Sequence, residues 1–364
     1  MAYRAEQIGS LLRPAELLRA REDRAAGKIT LEELRMVEDV AISDALEMQR
    51  EVGIDVFTDG ELRRAGWLTD LAEAVDGFVP DRVPLTWHRE GRDETELSIG
   101  QVVGGTLRPK RRVARHETSF LEQHAPGPFK MTMPSPSVFM HIGYKPGLTD
   151  RFYPTRDDLM NALVAIIRDE IVALIREGVR YIQLDNPQYA PYLDPRLREE
   201  MRARGIDPDE AARKAVEADA RSLEGLARED VTFAMHICRG NSKSRWLAEG
   251  GYDPIAEELF QKLPVDRFLL EYDSARAGSF EPLRFVPPEK SVVLGLITTK
   301  EPELESEDEL RRRIDEASKF VPLERLALSP QCGFASVAAG NAISADDQRR
   351  KLELVVETAR KVWG

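Results

Sequence analysis

The chain has little cysteine, no long apolar run and no surplus of basic residues, and each shortage removes a class of function. Cys238 and Cys332 are its two cysteines, so a disulfide framework is excluded, and a single bridge is not expected in a reducing compartment. No apolar stretch approaches the ~18–20 residues that cross a bilayer. The opening, MAYRAEQIGS, lacks a basic segment followed by an apolar one; no secretory leader is read, and a cytoplasmic location is expected. Lys plus Arg number 52 against 64 Asp plus Glu, a formal charge of −12. Such a surface repels nucleic-acid phosphates and anionic membranes, so neither is an expected partner. No G-x-G-x-x-G follows the first β-type run, and Gly9-Ser10-Leu11-Leu12 is not a phosphate-binding loop.

What is present is a core-forming chain with a regular alternation. Hydrophobic residues make up 42% of the 364 and charged residues 32%, which fits a globular protein with a sizeable core. Short β-rich runs recur at Ala5–Gly9, Gly53–Thr58, Phe129–Met133, Val179–Leu184, Val231–Ile237, Arg267–Tyr272, Val292–Ile297 and Arg325–Ser329. Several are continuously apolar, as parallel strands covered on both faces are. Helical patterns lie between them, at Leu31–Val52, Arg156–Glu177, Pro208–Ala227, Asp253–Lys262, Glu307–Lys319 and Ala345–Val362. The first follows Thr30, with Glu33 three residues on, a capping-box signature. Strand and helix in alternation predict an α/β protein, and eight such strands predict a (β/α)8 TIM barrel over residues 1–364 as one domain. The gap from Asp59 to Pro128 is too long for a simple connection. Its middle, Leu85–Arg115, contains a Gly-Gly step between β-type runs and reads as a hairpin-like insertion after the second strand, over about 80–120, forming an arm or lid.

In a barrel of this kind the strand C-terminal ends carry the chemistry, and the predicted ends here are rich in reactive groups. His236 and Cys238 are two residues apart on one strand, so both point to the same side and can reach one ion. Cys332 ends the last run and Glu271 a run between them. His, Cys, Glu and Cys make a zinc-type tetrahedron in which the carboxylate is the most exchangeable member. The alternatives at this point are two small core thiols, a hydrogen-bonded histidine, and a Glu271 that orients Arg276. Asp59, Glu61 and Asp185 at other strand ends read equally as helix caps or solvated loop acids.

The chain resembles the cobalamin-independent methionine synthase family, in its catalytic C-terminal barrel. The residues that carry the resemblance are IGS at 8–10, DVFTDGELRR at 55–64, YIQLDNP at 181–187, HICRGN at 236–241, FLLEYDSAR at 268–276 and LSPQCGFAS at 328–336. It implies the (β/α)8 barrel and a zinc ion held by His236, Cys238, Glu271 and Cys332. It implies methyl transfer to the thiol of homocysteine, with Glu271 and Asp185 as the catalytic candidates. The homocysteine carboxylate would meet Ser10 and its backbone, and the ammonium Glu61 and Asp185. Arg13 and Lys300 are further candidates for the carboxylate, and Tyr181, Trp246 and Tyr252 for the pocket wall. The methyl donor is expected to be methylcobalamin or a methylfolate. The segment Lys130–Ser137 has no Trp where folate-using members stack one on the pterin, and the fourth run ends Asp185-Asn186. Related single-barrel enzymes give the alternatives: a zinc-dependent alkyltransferase resembling the epoxyalkane:coenzyme M transferases, or a non-catalytic zinc- or thiol-binding barrel. A homo-oligomer is compatible with all of these.

Overall fold

The computed structural model describes residues 3–89, 91–226 and 230–364. Strands β1 (Val75–Arg89) and β2 (Arg92–Pro109) form an antiparallel hairpin. Strands β3 (Met131–Pro134), β4 (Tyr181–Asp185), β5 (Thr232–Ile237), β6 (Arg267–Glu271), β7 (Ser291–Ile297) and β8 (Leu326–Pro330) pair in that order as a six-stranded parallel sheet. Nearly every residue of these six strands is buried, as the continuous apolar runs require.

The two earliest runs behave differently. Ala5 makes a single parallel bridge to Leu328, and Phe57 one to Phe129. Backbone bonds pass from one to the next: Glu6 N to Leu328 O (3.0 Å), Asp55 N to Ala5 O (3.0 Å), Phe57 N to Pro128 O (2.8 Å) and Lys130 N to Phe57 O (2.9 Å). Side chains take the other ladder positions. Asp55 Oδ2 accepts the N–H groups of Arg4 (2.6 Å) and Ala5 (2.8 Å), and the Thr58 hydroxyl donates to Gly9 O (3.0 Å). The expected strands Ala5–Gly9 and Gly53–Thr58 are therefore bridges beside a six-stranded sheet, because side-chain acceptors and donors stand in for backbone ones.

The helices follow their caps. Leu31–Val52 starts at a full capping box, with Glu33 N donating to Thr30 Oγ1 (3.1 Å) and Thr30 N to Glu33 Oε2 (2.7 Å), and stops at Gly53, whose φ of 90° no further helical turn tolerates. Arg156–Arg176 has the same box from Thr155 and Asp158. Pro208–Leu223 ends short of the predicted limit, and Ala227 lies outside the described residues. The hairpin begins earlier than the predicted span of about 80–120: its register runs from Val75↔Pro109 to Arg89↔Arg92, across a turn whose Glu90 is outside the described residues. Arg115–His124, which straddles the end of the predicted insertion, is a helix that the sequence does not announce.

Two buried polar clusters hold this frame. At the strand N-terminal ends, the wholly buried Glu6 carboxylate receives Arg267 (2.6 Å), Lys130 (3.3 Å) and the Tyr181 hydroxyl (2.8 Å). At the other ends of β3 and β4, Asp219 from the helix Pro208–Leu223 accepts from Ser135 Oγ (2.9 Å), Ser137 N and Oγ (2.8 Å each), Asn186 Nδ2 (3.0 Å) and Tyr189 OH (2.9 Å). No short-range pattern marks Asp219, since all its partners come from distant segments.

Two stability outcomes follow from these clusters. Glu6→Ala leaves Lys130 and Arg267 buried without their counter-charge and is expected to cost about 3–5 kcal/mol; an unchanged urea midpoint would mean the cluster adds nothing. Asp219→Ala orphans several buried donors at once and is expected to cost about 3 kcal/mol or more. The same unfolding measurement checks it, and a loss under about 0.5 kcal/mol, the range of a surface change, would contradict it.

Candidate metal centre

Register brings the reactive groups together. Asp185 lies opposite His236 in the β4–β5 pairing, and His236 opposite Leu269 in β5–β6. Cys238 follows β5 by one residue and Cys332 follows β8 by two. The ligand atoms of His236, Cys238 and Cys332 all lie within 4.8 Å of one another, and all three residues are buried. His236 Nδ1 faces the carbonyl of Leu269 at 3.2 Å, which assigns the proton to Nδ1. That leaves Nε2 as the lone-pair nitrogen, buried and without a hydrogen-bond partner. An unpartnered imidazole nitrogen beside two thiols is the nitrogen and sulfur donor set that zinc takes.

The three groups shift one another's charge. The neighbouring Cys238 thiol, followed by His236 and Lys300, holds the Cys332 thiol well below its ordinary value against the effect of burial. The same proximity, with burial, pushes Cys238 up. Burial works against a charged His236, but Cys332 and Asp185 outweigh it and raise the imidazole.

Glu271 stands apart from this trio. Oε1 accepts from Arg276 Nε (3.2 Å) and Nη2 (3.1 Å), and Oε2 accepts from the Arg239 N–H (2.7 Å). Burial opposes its ionisation, yet Lys300, Arg276 and Arg239 hold its carboxyl below the usual range. The structure thus gathers three of the four predicted ligands, and Glu271 takes the arginine-bound arrangement that was its rival reading.

The other predicted residues fall into two groups. Glu61 and Asp185 are buried acids near the centre. Glu61 sits in the turn Asp59-Gly60-Glu61 with φ of 55°, a left-handed conformation that is costly for a side chain of this size. Its Oε1 accepts from Thr132 Oγ1 (2.9 Å), while Oε2 is buried and unpartnered. Gly9 leaves room for this carboxylate: a Cβ on it would come within 2.7 Å of Glu61 Oε1, which would have to move. Asp185 Oδ1 accepts from Gln183 Nε2 (2.8 Å); burial, with Glu61 nearby, pushes its carboxyl up to about 7 although His236 favours the charge. Lys300 is buried, with Asn241 Oδ1 at 3.5 Å.

Ser10 and Arg13 are occupied by loops. Ser10 Oγ accepts from Ala335 N (3.4 Å), its carbonyl accepts from Phe334 N (2.8 Å), and both bonds brace the segment after Cys332. Arg13 donates to the carbonyls of Arg64 (3.0 Å), Ala335 (2.9 Å), Val337 (3.2 Å) and Glu61 (3.4 Å), so its fork is spent on backbone. Tyr181 lies at the first residue of β4, hydrogen-bonded to Glu6, at the opposite end of the sheet from the centre.

The hairpin tip reaches the loop after Cys238. His88 and Trp246 exchange backbone bonds (2.7 and 3.0 Å), and Arg245 pairs with Glu96 (2.8 Å) and Glu94 (3.1 Å). A cavity of about 580 Å³ lies beside it, lined by His88, Asp194, Arg196, Glu249, Arg276 and Gly278 among others. No helix among the described residues is long and apolar enough to cross a membrane.

Comparison with known proteins gives a consistent picture. YxjG of Bacillus subtilis is 39% identical over 99% of this chain and 95% of its own. A methionine synthase of Sulfurisphaera tokodaii is 26% identical over 90% of this chain and 84% of its own. A crystal structure of a candidate vitamin-B12-independent methionine synthase from Listeria monocytogenes superposes with a TM-score of 0.76 at 30% identity, covering 100% of this chain and 98% of that one. Residues 4–361 match the catalytic domain of the cobalamin-independent synthases. The chain belongs to the cobalamin-independent methionine synthase family, through its catalytic domain.

Proposed function

We propose that this protein is a zinc-dependent methyltransferase that methylates the thiol of homocysteine to give methionine, and that residues 1–364 act as one unit on a closed (β/α)8 ring. Support for the ring is the chain of backbone bonds from β8 through Ala5 and Phe57 to the residues before β3. The observation that carries the function is the buried, unpartnered Nε2 of His236 beside the thiols of Cys238 and Cys332. These three residues would hold zinc. Glu271 would be the fourth, replaceable donor, since Oε2 keeps a second lone pair beyond its bond from Arg239. Zinc bound there keeps a substrate thiol ionised near neutral pH, where a free thiol of pKa about 8.5 is mostly protonated.

The chain's own residues would then orient the acceptor. The ammonium of homocysteine suits the unpartnered Glu61 Oε2 with Asp185, two anionic acceptors around one cation. With an amine bound, the opposing burial of these acids is offset by a charge of the opposite sign. The acceptor carboxylate would be met by Ser10 with its backbone and by Lys300. Arg13 would act through the loops that it braces. The methyl donor would be methylcobalamin or a methylfolate; holding acceptor and donor in line supplies the rate through orientation.

Zinc-loaded protein mixed with homocysteine and either methylcobalamin or a methylfolate is expected to yield methionine by mass spectrometry. Cys332→Ser is expected to lose zinc and methionine formation together. No methionine from either donor, with zinc still bound, would move the activity to another electrophile or another thiol. Asp185→Asn is expected to keep its zinc and to weaken homocysteine by about 10–100-fold, the value of one charged hydrogen bond. Equilibrium binding with an unchanged Kd would remove Asp185 from the acceptor site.

A further inference from the structure

Arg239 follows Cys238 directly and is wholly buried. Among the described residues its guanidinium bonds to no carboxylate. Nη1 donates to Tyr252 OH (2.5 Å) and to the main-chain oxygen of Glu271 (3.1 Å), and Nη2 to the carbonyls of Gly250 (2.6 Å) and Ala277 (3.3 Å). The face of the group lies 4.1 Å from the centroid of the Tyr252 ring. Its own peptide contributes as well: the N–H donates to Glu271 Oε2 (2.7 Å), and the carbonyl accepts from Leu247 N (2.8 Å). Tyr252 OH in turn donates to the carbonyl of Ile237 (3.1 Å), the residue before Cys238. One side chain and its peptide thus tie together the end of β5, the end of β6 and the loops that follow each.

Burying a full positive charge against dipoles alone is costly, and here it is not repaid by an ion pair with its guanidinium. The planar fork has five donors in fixed directions, which suits acceptors spread over separate segments; an ammonium, a point charge on a flexible stem, cannot span them. We propose that Arg239 is a positioning residue that fixes the Cys238 thiol against the Glu271 carboxylate, and so sets the geometry of the metal centre without touching metal or substrate. This rests on the zinc reading above and deepens it. Groups that orient metal ligands from behind typically change metal affinity by 10–100-fold when removed.

The test uses the full-length protein, as wild type and as Arg239→Gln, Arg239→Lys and Tyr252→Phe. Each is loaded with Co(II) for the thiolate-to-metal absorption bands and with Zn(II) for release to a coloured chelator. In metal-free protein, the alkylation rate of Cys238 by iodoacetamide is followed by peptide mass mapping. Both Arg239 variants are expected to shift the cobalt bands, to release zinc about 10–100-fold faster and to alkylate faster at Cys238. Lysine is expected to fail as glutamine does, because it restores the charge and not the fork. Rescue by lysine would reduce Arg239 to a counter-charge and overturn the proposal. So would a folded Arg239→Gln with wild-type bands and wild-type release. Should neither Arg239 variant fold, Tyr252→Phe decides: shifted bands and faster release support the clamp, and wild-type values overturn it. A wild type that takes up cobalt without thiolate bands would sink the zinc reading, while the alkylation rates would still report on Arg239.

Discussion

The contact between His236 Nδ1 and the carbonyl of Leu269 determines what the centre is able to do. An imidazole has two nitrogens, and the one that donates fixes the other as the lone-pair donor. The β5–β6 register supplies the carbonyl, because it sets His236 opposite Leu269. The two-residue period of an extended strand then turns Cys238 to the same side. Cys332 arrives from β8, where Ser10 and Arg13 brace the following loop from below. Shift β5 against β6 by one residue and the carbonyl, the imidazole and the thiol would each face the wrong way.

The two ends of the parallel sheet treat charge differently. At the N-terminal ends the buried Glu6 receives two cations and a phenol. Arg267 Nε stays without a hydrogen-bond partner there, and at the C-terminal ends buried Asp59, Glu61 and His236 each keep such an atom as well, with no ion pair of comparable closeness around His236 among the described residues. A protein gains no stability from leaving such atoms unmet in its interior. The cost is tolerated where a ligand completes the set, which is why orphaned groups cluster at functional ends of α/β folds.

Much of this was legible in the sequence, and what was not has a common cause. The runs that became β3 to β8 lie within about two residues of their predicted limits, because continuous apolar strands announce themselves locally. The Thr30 box and the H-x-C pair are local too. The first two runs failed as strands because Asp55 and Thr58 use side chains in place of ladder bonds, which propensity does not record. Glu271 was readable as an acid at a strand end and as a partner of Arg276, but its bond from the Arg239 N–H depends on how the loop after β5 folds over it. Asp219 was invisible for the same reason: a helix acid is unremarkable until the ends of β3 and β4 meet it. Sequence pattern reports what neighbours along the chain do, and these residues act on neighbours in space.

The hairpin shows how such a spatial contact bears on function. Its ion pairs, Arg245 with Glu94 and Glu96, have acid side chains 40% exposed, and surface pairs of that kind hold little on their own. The firmer contacts are dry. His88 and Trp246 exchange main-chain bonds, and the Trp87 ring reaches Gly240, where a Cβ would meet it at an ordinary van der Waals distance of 3.4 Å. Gly240 also takes φ of 88°, a conformation that any other residue would strain to adopt. The glycine of the HICRGN motif is therefore fixed by two demands at once, a backbone turn and the close approach of Leu247, whose Cβ would lie 2.8 Å from a Cβ at this position. A motif that begins with two metal-type ligands continues with the residues that clamp and cover them, so the loop after β5 is one built piece.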